Sequence, residues 1–250
     1  MKQVRYSLCI VFILLLSGFV PEDTKVIPPS DLTLQIQPMF GKEKLQLNQI
    51  YTTLLGDKIS ITRFKFYLSN IALTKADGSI WRQKNSYHLI EISEDTEPVT
   101  IVSLPDVPPG KYTKLSFAIG VDSLNNHSGE QAGVLDPDYG MFWMWETGYV
   151  FFKCEGFYHQ PDGAKGPIVY HIGREQCYRQ VTLNLKELTV SQNSSSTLQI
   201  QADAARVFGG FSGAALDVKM PTDQSSVSVM GGKTAPSIAS NYREMFVVIP

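Results

Sequence analysis

Apolar side chains recur at every second position through most of this chain, the period of a strand with one buried face. Leu32, Leu34 and Ile36 alternate, and so do Ile59, Ile61, Phe64, Phe66 and Leu68, with one slip in phase that a β-bulge absorbs. The run from Ile71 to Thr74 meets Asp77-Gly78 and resumes at Ile80-Trp81, which predicts a hairpin. Further short runs cover residues 87–92, 99–104, 112–119, 168–172, 180–185, 197–202, 216–220 and 227–230, with Pro108-Pro109-Gly110 as one of the turns. Helical spacing is confined to Ile238, Tyr242 and Met245 and to one turn at 204–208. The expected fold class is all-β: an antiparallel β-sandwich with long loops and at most one or two short helices.

The unusual residues concentrate between Gly120 and Gly156. Trp143 and Trp145 fall on one face of an extended segment, with Phe142 and Met144 on the other. A second segment, Tyr149 to Cys154, follows Glu146-Thr147-Gly148, so the two form a candidate aromatic hairpin with Trp143, Trp145 and Tyr149 as structural core. Ahead of it runs a polar loop with Asn125, Asn126, His127, Asp136 and Asp138. A platform carrying such a loop suits a binding site and equally suits a plain core with a long connection. Asp136 and Asp138, two apart around a proline, offer too few oxygen ligands for calcium and read as turn formers.

Residues 1–20 pair Lys2 and Arg5 with a short apolar run ending at Ser17-Gly18, the layout of a signal peptide, with an uncleaved N-terminal anchor as the other reading because no clean small-x-small cleavage site follows. The run is shorter than the ~20 residues of a membrane span, and no second such segment follows. Residues 21–30 read as a flexible lead-in and 31–250 as one domain, periplasmic or extracellular. Without Lys2 and Arg5, 20 basic side chains face 24 acidic ones, a balance that excludes an electrostatic nucleic-acid binder.

Cys154 and Cys177 remain after export, and a disulfide between them is the default in an oxidising compartment, with two separate buried thiols as the other reading. No nucleophile elbow, phosphate loop, zinc-protease or dinucleotide motif is present, so the chain reads as a binding protein and not an enzyme. His88, His127, His159 and His171 are well separated; imidazoles converge on copper or zinc in some folds and serve as hydrogen-bonded structural residues in most.

Several segments together resemble the MbnP-like family, exported relatives of the methanobactin-associated copper protein. They are the run Phe66 to Leu73 with Asp77-Gly78, Pro109-Gly110-Lys111-Tyr112, Phe117 to Asp122, Gly133 to Pro137, Met141 to Trp145 with Gly148-Tyr149, His171-Ile172-Gly173, and Ile238 to Tyr242 with Met245-Phe246. The resemblance implies a β-sandwich, export, and copper held by histidines and a tryptophan oxidised to kynurenine, that tryptophan lying two residues before a histidine. It also implies a dihaem peroxidase-like partner that oxidises the tryptophan. Carried over, the metal set is Trp81, His88, His127 and His171, and Cys177 is also at a family-like position. Two positions depart from the pattern: Gln83 stands where the histidine after Trp81 belongs, and Ser69 where a second is expected. Glutamine and serine are poor copper ligands beside imidazole. A metal-free binding or structural module therefore stands beside the copper reading.

Overall fold

The computed structural model describes residues 30–92, 99–144, 147–192, 194–209, 220–221 and 226–249. The signal-peptide reading, nearly all of the lead-in, the run at 216–219 and Trp145 lie outside the described residues. In chain order the strands are β1 Ser30–Phe40, β2 Glu43–Lys44, β3 Ile50–Thr52, β4 Lys58–Lys75, β5 Ile80–Arg82, β6 Tyr87–Glu91, β7 Thr100–Val107 and β8 Gly110–Ile119. After helix α1, Ser123–Asn126, come β9 Phe142–Met144, β10 Gly148–His159, β11 Lys165–Gly173, β12 Arg179–Val190, β13 Ser196–Asp203 and β14 Val227–Val229. Helix α2, Thr234–Arg243, and β15, Phe246–Val248, close the chain. The all-β expectation holds.

Two sheets form. One has β15, β13 and β1 side by side, with β7 and β2 also on β1; the other runs β12-β8-β4-β10-β11-β14. Its long strand β4 also carries β3, β6 and β5 along one edge. The sheets are mixed rather than purely antiparallel: β1–β13 and β11–β14 are parallel. Both pairs are separated by long stretches of chain, the condition a parallel pairing requires. Phe246 of the first sheet meets Phe66 and Phe117 of the second edge-to-face at 5.8 and 4.9 Å, and Tyr242 of α2 stacks on Phe152 at 5.0 Å. The core lies between the sheets, with α2 packed into it.

The phase slip in the sequence is a bulge. Glu155-Gly156 of β10 face Arg63 and Ile61 of β4, leaving Thr62 as the extra residue. Gly78 supplies the left-handed backbone of the Asp77-Gly78 hairpin at φ 86°. In β7, Pro105 sits on a strand that, among the described residues, pairs on one side only, where a missing N–H is tolerated.

The aromatic hairpin forms as read: Tyr149 pairs with Phe142 and their rings meet at 4.9 Å. Tyr149 is fully buried and Trp143 half-buried against the core. Strand β10 is covered on both faces. Phe152 and Cys154 face the inter-sheet core, while Tyr149, Phe151 and Lys153 lie under the loop layer of residues 120–141. That layer is α1 followed by two 3-10 turns at Gly133–Leu135 and Pro137–Tyr139, and Asp136 accepts the Asp138 amide at 2.9 Å as a turn former.

The expected disulfide does not form: Cys154 and Cys177 are two separate buried thiols. Cys154 pairs with Tyr170 in mid-sheet, whereas Cys177 lies beyond the far end of the same ladder, where Val150 meets Gly173. Four strand residues, roughly 13 Å, separate Cys154 from that end, well outside the reach of an S–S bond.

Candidate functional site

Asp122 caps the N-terminus of α1 by accepting the Asn125 amide at 3.3 Å. Tyr87 donates its hydroxyl to the same carboxylate, Asn125 Nδ2 reaches the Tyr87 oxygen at 2.7 Å, and Asn70 links Asp122 to Tyr178. Burial pushes the Asp122 carboxyl up, but the donors from Tyr87, Asn125 and Asn70 outweigh it and hold the group below its ordinary range. The network fixes α1 to β4, β6 and the 3-10 turn Glu175–Cys177.

The next residues face a cleft. Asn126 is fully buried, and its Oδ1 accepts the Tyr149 amide at 2.8 Å. Close approach here requires Gly148, at φ 72°, since a Cβ would lie 2.3 Å from Asn126 Oδ1. Asn126 Nδ2 has no acceptor among the described residues. His127 ends α1 and donates from Nε2 to Glu175 Oε1 at 3.1 Å; the Ser123 hydroxyl donates to the same oxygen. These donors, Ser123 first and then His127, hold Glu175 below its ordinary range. Arg174, between β11 and the 3-10 turn, has φ 70° and ψ 155°, a region almost reserved for glycine. The Trp143 ring packs where a side chain on Gly173 would stand. Asn126, His127, Thr147, Arg174, Glu175 and Gln176 line an open cleft of about 430 Å³, with His127, Arg174, Glu175 and Gln176 exposed to solvent.

His171 stands elsewhere. A row of paired residues crosses the sheet from Glu91 through Lys65 and Lys153 to His171, all on the face beneath the loop layer. His171 Nε2 donates to Glu155 Oε1 at 2.7 Å, and Arg63 bonds the other oxygen at 3.2 Å. Lys153, nearly buried, donates to the Gly140 carbonyl, and Lys65 pairs with Glu91 at 2.6 Å. Burial lowers the Lys153 pKa, Glu155 opposes that, and Arg63 and Lys65 add to it.

His88 lies three residues along β6 from Glu91, hence on the opposite face. Its Nε2 donates to Gln83 Oε1 at 2.8 Å, an oxygen that also accepts Ser86 Oγ at 2.7 Å, while Gln83 Nε2 donates to the Ser103 carbonyl at 3.2 Å. Burial lowers the His88 pKa and keeps the ring neutral. Trp81 pairs with Leu73 and packs half-buried on the core. His159, at the end of β10, bonds Ser60 Oγ at 2.9 Å. Thus the structure brings His127 to Glu175, His171 to Glu155 and His88 to Gln83, and does not gather the three histidines with Trp81. Among the described residues no three His, Cys, Asp or Glu side chains stand together as a metal site.

The family's sequence model, MbnP, matches residues 29–230. The chain belongs to the MbnP family. A solved structure, MbnP from Methylosinus trichosporium, superposes with a TM-score of 0.54 over 88% of this chain and 98% of that one, at 14% identity. At that identity the likeness is one of fold. No curated protein sequence matches the chain.

Within this MbnP fold, the cleft beside α1 escaped sequence reasoning except for His127 and Asn126. Arg174 and Glu175 follow His171-Ile172-Gly173 directly, but nothing in their identity announces a left-handed arginine. Lys153 and Glu155 did leave a trace, as two charges alternating inside an aromatic strand.

Proposed function

We propose that the protein is an exported MbnP-family binding module that takes a small-molecule or protein partner without the copper centre implied by the resemblance. The observation that carries this reading is the dispersal of the candidate ligands: His88 and His171 occupy opposite faces of one sheet, and each histidine is held by its own acceptor. Copper needs imidazoles converging to within about 2.1 Å of one point. The residues present do not fit that demand. Gln83, beside Trp81, spends both ends of its amide on Ser86, His88 and Ser103. On this reading Trp81 stays chemically unmodified, and no dihaem peroxidase-like partner acts on it.

Export is part of the proposal and rests on the basic and apolar pattern of residues 1–20. No described helix is long and apolar enough to cross a membrane. The test is elemental analysis and intact mass of protein purified from exporting cells, followed by titration with Cu(II). The expected outcome is a mature chain lacking the signal segment, with substoichiometric copper and unmodified tryptophan. Near-stoichiometric copper, or a mass increase matching kynurenine, overturns the reading.

A further inference from the structure

We infer that the cleft between α1 and the turn after β11 binds the carboxylate of a small organic acid, an inference that rests on the metal-free reading above and gives it a site. Unused donors carry the argument. The Arg174 guanidinium has no acceptor among the described residues, although Glu175 is its neighbour in sequence. Glu175 is already engaged: Ser123 and His127 both donate to its Oε1. Asn126 Nδ2, fully buried at the cleft wall, also lacks an acceptor, although its Oδ1 is used. A buried amide donor left unpaired is costly, and native proteins rarely leave one without a ligand or water. The Gln176 carboxamide is on the same lining. A guanidinium fork with amide donors matches a planar, two-oxygen anion.

The backbone points the same way. An arginine at φ 70° and ψ 155° stores strain that glycine would relieve, and the preceding residue is already a glycine. The strained residue is the one whose charge faces the cleft, a pattern typical of ligand clamps. Charge balance sets the ligand class. Among the described lining residues stand one arginine and one carboxylate, so a singly charged anion meets less repulsion from Glu175 than a phosphate dianion does. A cleft of about 430 Å³ is the size of a small-molecule site.

The test uses the full mature chain and calorimetric or NMR titration with butyrate, its neutral isostere butyramide, and inorganic phosphate. Butyrate binds saturably, on the order of millimolar for so few atoms, and shifts the Arg174 and Asn126 side-chain signals; butyramide and phosphate bind at least tenfold more weakly. A short peptide with a free C-terminus, against its amidated twin, identifies the source of the carboxylate. Tenfold tighter binding than butyrate assigns it to a polypeptide end, and equal or weaker binding to a free acid. Arg174→Gln and Arg174→Gly each lower butyrate affinity at least tenfold, while Arg174→Gly is as stable as the parent or more so. Butyrate binding that survives both substitutions, or that butyramide or phosphate matches, overturns the site. A Cu(II) titration of the same samples separates the two claims: stoichiometric copper sinks the metal-free reading, and a silent butyrate titration without copper uptake sinks the carboxylate site alone.

Discussion

Gly156 sets the course of β10 by lacking a methyl group. At the bulge its backbone presses against β4 so closely that a Cβ would stand 2.0 Å from the Ser60 carbonyl oxygen. The neighbour is backbone in the middle of a sheet, so it has little room to yield. Gly156→Ala is expected to cost on the order of 3 kcal/mol, read as a lower denaturant midpoint at unchanged slope. A midpoint within error of the parent shows that the strands part without penalty and removes the bulge from the account. The thiols give a second prediction at this scale. Burial raises the Cys154 pKa far above its ordinary value and pushes that of Cys177 to about 11. Both thiols therefore stay protonated, and a thiol reagent is attacked only by the thiolate. The unreduced mature chain, without Cys9 of the signal segment, is expected at pH 8 to release almost no signal with a thiol reagent while folded and two equivalents when denatured. Fewer than two in the denatured sample restores the disulfide.

Among the elements, the loop layer over β4 and β10 depends on donors rising from the sheet. Tyr67 Oη reaches the Val134 carbonyl at 3.0 Å, Lys65 Nζ the Tyr139 carbonyl at 3.4 Å, and Lys153 the Gly140 carbonyl. Lys153→Met removes one clamp while keeping the apolar stem, and a hydrogen bond to a charged donor contributes about 1.5–3 kcal/mol before the relief of desolvating the ammonium is counted. The net loss is expected near 1 kcal/mol, with faster amide exchange confined to residues 134–141 and β4 still protected. Exchange that rises evenly across the sheet, or nowhere, contradicts a local clamp. The elements themselves were largely legible. Alternation located β1, β4 and the aromatic hairpin, because period-two patterning is what a half-buried strand needs. Strand order was not legible: the parallel pairing of β1 with β13 joins segments over 150 residues apart, and no local pattern encodes it.

For the whole molecule, sequence and resemblance located fold and family but not the acceptors that hold the histidines. Glu175 lies 48 residues from His127, and Glu155 lies 16 from His171 across the β10–β11 hairpin, so each pair forms only once the chain folds back on itself. Burial of His88 and the donors around Asp122 make stability depend on acid in two steps. His88 is held neutral by burial, so its folded pKa is below the ordinary value of about 6.5. Between the two values the unfolded chain binds a proton that the folded chain refuses, and stability falls as pH drops through that window. His159, lowered by burial and by Lys165, contributes with the same sign. Asp122 is the carboxylate counterpart: its folded pKa is depressed, so its contribution is present above about pH 4 and is lost as pH falls towards the folded value. Denaturant midpoints measured from pH 3 to 8 are therefore expected to decline once below pH 6.5 and again below pH 4. His88→Gln should flatten the first decline and leave the second. Asp122→Asn should lower stability at pH 7, where the parent carboxylate is fully charged, and flatten the second. An unchanged slope between pH 5 and 7 in the His88 variant would mean that this ring titrates freely in the fold, and the neutral, Gln83-bound histidine would have to be abandoned.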